Sequence, residues 1–260
     1  MEYEGAVLDL DGTVYRGDTA LPGAAEAIER LRSAGVRMLF FSNNPTKSRE
    51  AYADRLGRLG IDATPDEVLS AGTVTTRYLS EFHPTDPIFL IGDTGLEAQF
   101  DAAGVDLVAD ATDANVVVAS WSREFDYGDM LAGYRGLEAG ATFYGTDPDR
   151  LVPAADGMIP GSGAIINAVS GTADREPDKI LGKPSAEAQR AALDALELPA
   201  DRCFVVGDRL NTDIELGKRA GMTTVLVKSG ITTEADLESS EFRPDYVVDS
   251  LADVPEALEI

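Results

Sequence analysis

The feature that most limits what this chain can fold into is a repeated alternation of short, continuous apolar runs with amphipathic segments of helical period. Residues 6–10, 36–41, 203–206, 224–227 and 246–248 read as strands, and residues 22–34, 46–59, 186–198 and 212–220 read as helices between them. The runs do not alternate apolar with polar residues, so both faces of each strand are buried, as in a parallel sheet covered by helices. The middle of the chain follows the same grammar, with strands at 88–91, 105–108, 116–119 and 142–144 and helices at 94–103 and 127–139. The expectation is an α/β protein with a doubly wound, Rossmann-like parallel sheet. Residues 145–163 are rich in Gly and Pro and read as a long functional loop.

Composition narrows the chemistry. The 260 residues carry 22 Lys and Arg against 46 Asp and Glu, a net charge of −24. Such a surface repels phosphate backbones and anionic lipid, which argues against nucleic-acid and membrane partners. Only five residues are lysine, and the acid excess predicts a chain adapted to high salt, where self-repulsion is screened. One cysteine, Cys203, excludes an intramolecular disulfide, and one histidine, His83, excludes any site that needs two imidazoles. Cys203 reads as a small core residue and His83, beside Pro84, as a surface loop residue. No apolar run approaches the roughly 20 residues of a membrane span, and the acidic start is unlike a signal peptide. The expected location is the cytoplasm.

Four short stretches carry chemistry. Asp9 and Asp11, in Leu8-Asp9-Leu10-Asp11-Gly12-Thr13, fall at the carboxyl end of the first strand, where doubly wound sheets place ligands. Two nearby carboxylates can hold a hard cation or divide into a nucleophile and an acid/base; an Asp-Gly turn with solvated acids is the bland alternative. In Phe41-Ser42-Asn43-Asn44-Pro45, a hydroxyl and the following backbone N–H groups can donate to an anion, or serve only a turn and a helix cap. Lys183, between Gly182 and Pro184, can neutralise phosphate oxygens or be a surface turn lysine. In Gly207-Asp208-Arg209-Leu210-Asn211-Thr212-Asp213, Asp208 can complete an oxygen-ligand magnesium site and Asp213 can orient it or the lysine. The alternative is a helix cap at Asn211 or Thr212, with Asp213 favouring the helix dipole.

Taken together, these stretches resemble the motifs of the haloacid dehalogenase superfamily. Gly12-Thr13-Val14-Tyr15, Ser42-Asn43-Asn44 and Gly207-Asp208 are similar to its NagD-like and p-nitrophenylphosphatase-like branch, and the similarity runs through essentially the whole chain. Spacing agrees with that branch: Ser42 lies 31 positions after Asp11, and Lys183 lies 141 positions after Ser42, room for an inserted domain. The expected organisation is a catalytic core of residues 1–72 and 178–260 with an inserted α/β cap at 73–177.

The resemblance implies a Mg²⁺-dependent phosphatase of small phosphomonoesters. It implies Mg²⁺ held by Asp9, by the main-chain carbonyl of Asp11 and by Asp208. Asp9 would be the nucleophile and Asp11 the acid/base. Ser42, the Asn43 N–H and Lys183 would hold the phosphate, with Asp213 and Asn44 in support. The partner would be a small phosphorylated metabolite: a sugar phosphate, a nucleoside monophosphate, phosphoglycolate or an aryl phosphate. A homo-oligomer is compatible with such caps. A phosphotransferase using the same aspartyl-phosphate and a non-catalytic metabolite binder stay open. Leu90-Ile91-Gly92-Asp93 imitates the last motif without its second acid, so Asp93 reads as a helix-start residue, and Gly161-Ser162-Gly163 as a helix N-terminus. Trp121 and Asp147 replace residues usual in the branch and are candidates to line the pocket. An acidic Asp147 would disfavour strongly anionic substrates.

Overall fold

The computed structural model describes residues 3–154 and 157–260. The chain divides into two compact units: Met1–Ser42, Arg49–Leu69 and Lys183–Ile260 form the first, and Asn43–Ser48 with Ser70–Gly182 the second.

The first unit is built on a six-stranded sheet in the spatial order Tyr246–Val248, Thr223–Val227, Cys203–Gly207, Gly5–Leu8, Arg37–Ser42 and Val68–Ser70. Gly5–Leu8 is central and parallel to both neighbours, with Val7 opposite Leu39 on one side and Val205 on the other. One face packs Ala6, Leu8, Phe40, Phe204, Val206 and Val225 against Ile28 and Leu31 of the helix Ala24–Ser33 and Tyr52 and Leu56 of the helix Arg49–Arg58. Each Leu, Ile or Phe buried there contributes about 1.5–3 kcal/mol. From Gly5–Leu8 the chain first builds the sheet toward Arg37–Ser42 and Val68–Ser70, then returns to build the other side from Cys203–Gly207. The reversal lies between Gly5–Leu8 and Cys203–Gly207, and the carboxyl ends of strands beside such a reversal form a ligand crevice.

The second unit holds a four-stranded parallel sheet in the order Lys179–Ile180, Thr142–Gly145, Val116–Ala119 and Ile88–Ile91. Successive side chains of Val116–Ala119 point to opposite faces. Val116 and Val118 meet Leu79, Leu96 and Phe100, while Val117 and Ala119 meet Leu137, Ile166 and Val169. Among the described residues no helix is long and apolar enough to cross a membrane.

Several local expectations change. Residues 105–108 form no strand: Leu107 makes one bridge to Ile88, between the turn at Gly104 (φ 73°) and the short helical turn Ala111–Asp113. Residues 145–163 are not one long loop. Leu151–Ala154 and Gly157–Pro160 pair as an antiparallel hairpin, where Pro153 is tolerated because a two-stranded ribbon has open edges. The helix expected at 46–59 begins at Arg49, because the Asn44 side chain accepts from the Thr46 N–H (2.9 Å) and hydroxyl (2.8 Å) and holds a turn instead. Residues 210–214 form a wide π-type turn before the helix Glu215–Ala220, with no side-chain cap at Asn211 or Thr212. His83 is no loose surface residue: its ring bonds Asp86 through Nδ1 (2.8 Å) and the Tyr144 hydroxyl through Nε2 (3.0 Å).

Candidate active site

Six of the residues singled out from sequence lie in the first unit. Asp9 extends the ladder past Leu8, its N–H donating to the Val206 carbonyl (2.9 Å), and then the chain curls. Val14 and Tyr15 N–H groups turn back to the Leu10 carbonyl, and the Gly12 N–H donates to the Tyr15 carbonyl (2.8 Å). This curl leaves Asp9 buried and Asp11 half-buried.

Lys183 links the strand ends. It is 1% exposed, and its ammonium donates to Asp9 Oδ1 (2.8 Å), to the Phe41 carbonyl (2.8 Å) and to Asp213 Oδ1 (2.6 Å). An ammonium has three protons, and these three acceptors match them. Burial alone pushes against the lysine's charge, yet the Asp213 and Asp9 carboxylates outweigh it and hold the group above its ordinary value. Asp213 is 1% exposed and takes its second oxygen to the Arg209 N–H (3.1 Å). Gly207 makes room for it, since a Cβ there would collide with the Asp213 side chain. Asp213 is therefore committed to Lys183, which answers the cap reading of that stretch.

Asp208 is 2% exposed. Its Oδ2 accepts from the Ile231 N–H (2.9 Å), but its Oδ1 is buried with no hydrogen-bond partner. A buried carboxylate oxygen left so costs on the order of 1–3 kcal/mol or more unless something else binds it. Asp9, Asp208 and Asp213 each offer an oxygen, and these atoms lie within 4.8 Å of one another. Hard oxygen donors with one unsatisfied buried carboxylate oxygen fit a hard divalent cation such as Mg²⁺. Crowding shows in the acids. Burial, with Asp213 and Asp208 adding, raises Asp9 well above its ordinary value against the pull of Lys183. Burial and Asp213 push Asp208 up to about 6.

Ser42 is buried at the end of its strand, and its Oγ accepts from the Tyr52 hydroxyl (3.2 Å). Asn43 and Asn44 fall in the second unit; Asn43 is buried, and Asn44 is exposed and shapes the turn toward Thr46. Sequence reasoning passed over Thr13, whose hydroxyl lies 3.4 Å from Asp9 Oδ2, and Tyr52, which falls inside the helix expected at 46–59. The signal for Thr13 was its place directly after Asp11-Gly12.

Comparison with known proteins gives the family of the chain. Residues 6–106 match a haloacid dehalogenase-like hydrolase family model and residues 180–254 match a HAD-hydrolase-like model. The chain is 34% identical over 244 residues to an acid sugar phosphatase of Staphylococcus epidermidis, covering 94% of this chain and 93% of the relative. The chain belongs to the haloacid dehalogenase-like hydrolases. Within that family its structure is similar to a p-nitrophenyl phosphatase from Archaeoglobus fulgidus (37% identity, TM-score 0.92, 99% of this chain and 100% of the other). It is also similar to NagD from Escherichia coli K-12 (26% identity, TM-score 0.87, 97% and 98%), in line with the NagD-like branch expected from the motifs.

Two further positions singled out from sequence, Asp147 and Trp121, lie in the second unit. Asp147 is 2% exposed, accepts from the Thr146 hydroxyl (3.1 Å) and the Asp149 N–H (3.2 Å), and is pushed up to about 7 by burial and by Asp149. Trp121 donates its indole N–H to the Pro160 carbonyl (3.1 Å), tying the hairpin to the end of the strand Val116–Ala119. Asp93 caps the helix Thr94–Ala102 by accepting from the Gly95 N–H (3.1 Å), and Gly161 precedes the helix Ser162–Ala173, so both resemblances to ligand motifs resolve as helix starts.

Proposed function

We propose that the protein is a Mg²⁺-dependent phosphatase of small phosphomonoesters that works through an aspartyl-phosphate on Asp9. The observation that carries this reading is the Asp9 carboxylate held by Lys183 at 2.8 Å beside Asp208, whose Oδ1 is buried and unpartnered. The relatives named as phosphatases support it.

In this reading Asp9, the main-chain carbonyl of Asp11 and Asp208 hold the magnesium ion. Bound there, Mg²⁺ offsets the charge of the phosphate so that two anions can meet. Asp9 attacks phosphorus in line, the bond to the leaving oxygen breaks, and the phosphoryl group rests on Asp9. Asp11 gives its proton to the leaving alcohol, then takes one from the water that hydrolyses the aspartyl-phosphate. Ser42, the Asn43 N–H and Lys183 hold the transferring oxygens, positive charge and donors concentrated in a protein of net charge −24. Asp213 keeps Lys183 charged and in place, and Asn44 supports the turn after Ser42.

We assign selection of the leaving group to the second unit, with Asp147 and Trp121 as its distinguishing residues. The acid excess supports a protein that folds in concentrated salt; full stability in dilute buffer contradicts that part.

The test is phosphate release from a panel of sugar phosphates, nucleoside monophosphates, phosphoglycolate and p-nitrophenyl phosphate, with and without Mg²⁺, at low and multimolar salt. Mg²⁺-dependent release lost in Asp9→Asn is the expected result. Acceptor alcohols that divert phosphoryl from free phosphate support transfer instead, and ligand affinity without release supports a binder.

A further inference from the structure

The sequence motifs end at Asp213, but the chain that closes around Asp208 comes later, after the strand Thr223–Val227. Gly230 and Ile231 lie against the Asp208 carboxylate, Thr232 against its main chain, and Ser229 against the Gly12 turn beside it. The Ile231 N–H holds Oδ2 (2.9 Å), the Thr232 hydroxyl donates to the Asp208 carbonyl (2.5 Å), and Gly230 lies so close that a Cβ there would overlap the carboxylate itself. The same segment reaches the nucleophile curl. Ser229 Oγ donates to the Gly12 carbonyl (2.7 Å), and Arg16 donates to the Ser229 carbonyl. Gly12, at φ 92°, closes the other side: a Cβ there would sit 2.6 Å from Asp208 Oδ2 and 3.3 Å from the Gly230 Cα.

Asp208 Oδ2 is thus pinned between two glycines and a backbone N–H, while Oδ1 is left buried and unpartnered. A carboxylate with one oxygen fixed by the main chain cannot rotate its other oxygen toward a compensating donor, so that oxygen stays available to a cation.

We propose that Ser229–Thr232 is a positioning collar that sets the affinity of the magnesium site, with Gly230 and the Ile231 N–H aiming Asp208 and Ser229 fixing its distance from the Asp9–Gly12 curl. The inference rests on Asp208 being a magnesium ligand. None of the four residues touches substrate in this account. A side chain at 230 displaces Asp208, loss of the Thr232 hydroxyl loosens its backbone, and loss of the Ser229 hydroxyl frees the curl.

The experiment is calorimetric titration of Mg²⁺ alone into the metal-stripped full-length protein, with far-UV circular dichroism to confirm folding. Gly230→Ala is expected to weaken Mg²⁺ binding at least about tenfold, the scale of lost support around a metal ligand. Thr232→Val and Ser229→Ala are expected to weaken it a few-fold. A folded Gly230→Ala that binds Mg²⁺ like the parent overturns the collar. If Gly230→Ala does not fold, parent-like binding by both Thr232→Val and Ser229→Ala overturns it. Asp208→Asn separates the two readings: if it binds Mg²⁺ like the parent, the assignment of the metal site fails, whatever the collar variants do.

Discussion

Two strand ends in this molecule carry nearly the same letters and meet opposite fates. Leu90-Ile91-Gly92-Asp93 closes a strand of the second unit, and Val205-Val206-Gly207-Asp208 closes a strand of the first. Asp93 spends its carboxylate on the Gly95 N–H, and the start of its helix is shut by the Thr46 carbonyl, which a Cβ at Gly95 would strike. Asp208 finds Asp9, Asp213 and Lys183 around it and keeps one oxygen without a partner. A Gly-Asp at a strand end is therefore only a scaffold for a site. The next few residues of the chain decide the outcome. A helix that begins at once consumes the acid, whereas the wide turn of Leu210–Ile214 brings a second acid inward and leaves the first available.

The largest effect in a test of this contrast is expected from Asp9→Asn, which should reduce phosphate release by about a thousandfold or more while leaving the circular dichroism spectrum unchanged. Next is Lys183→Met. It leaves Asp9 and Asp213 buried without their shared cation, so it should lower stability by about 3–5 kcal/mol and reduce turnover of the folded fraction by about a hundredfold. Denaturant unfolding and steady-state kinetics check the two halves.

Sequence made the strand ends legible because they depend on local pattern: buried strands read as apolar runs, and acids placed directly after them read as ligands. Asp9, Asp208 and Asp213 do come together, with Lys183 at the centre. What local pattern hid was long-range. Tyr52 was one more position of the helix expected at 46–59, and only the fold brings its hydroxyl to Ser42. The collar on Asp208 is set by Gly230, a residue far enough along the chain to carry no motif. The pairing of Leu151–Ala154 with Gly157–Pro160 was hidden by Pro153 and Gly157, which are normally breakers. His83, next to Pro84, gave no sign of the hydrogen bonds to Asp86 and Tyr144 that only the folded second unit supplies.

A smaller effect separates the acids of the second unit from those of the site. Asp147, pushed up to about 7 by burial and Asp149, binds its proton more tightly folded than unfolded, where a carboxyl titrates near 3.9. The native state holds the extra proton between those values, so the Asp147 contribution to stability is lost as pH rises through that window. Asp147→Asn is already uncharged. It should raise the Tm by several degrees at pH 8 and leave it nearly unchanged at pH 4; an equal shift at both pH values breaks the assignment. Smallest of all is Asp93→Ala. Loss of that cap should cost about 1 kcal/mol and leave Mg²⁺ dependence and turnover untouched, and a lost Mg²⁺ response would erase the contrast between the two strand ends.

The claim that ties these residues together is that phosphoryl passes through Asp9. Acid-quenched single turnover with excess enzyme, followed by proteolysis and mass spectrometry, reads it directly. The account predicts a phosphorylated peptide containing Asp9, formed before phosphate is released and absent in Asp9→Asn. Burst-free release with no phosphorylated peptide at any time would contradict it and place direct attack by water in its stead.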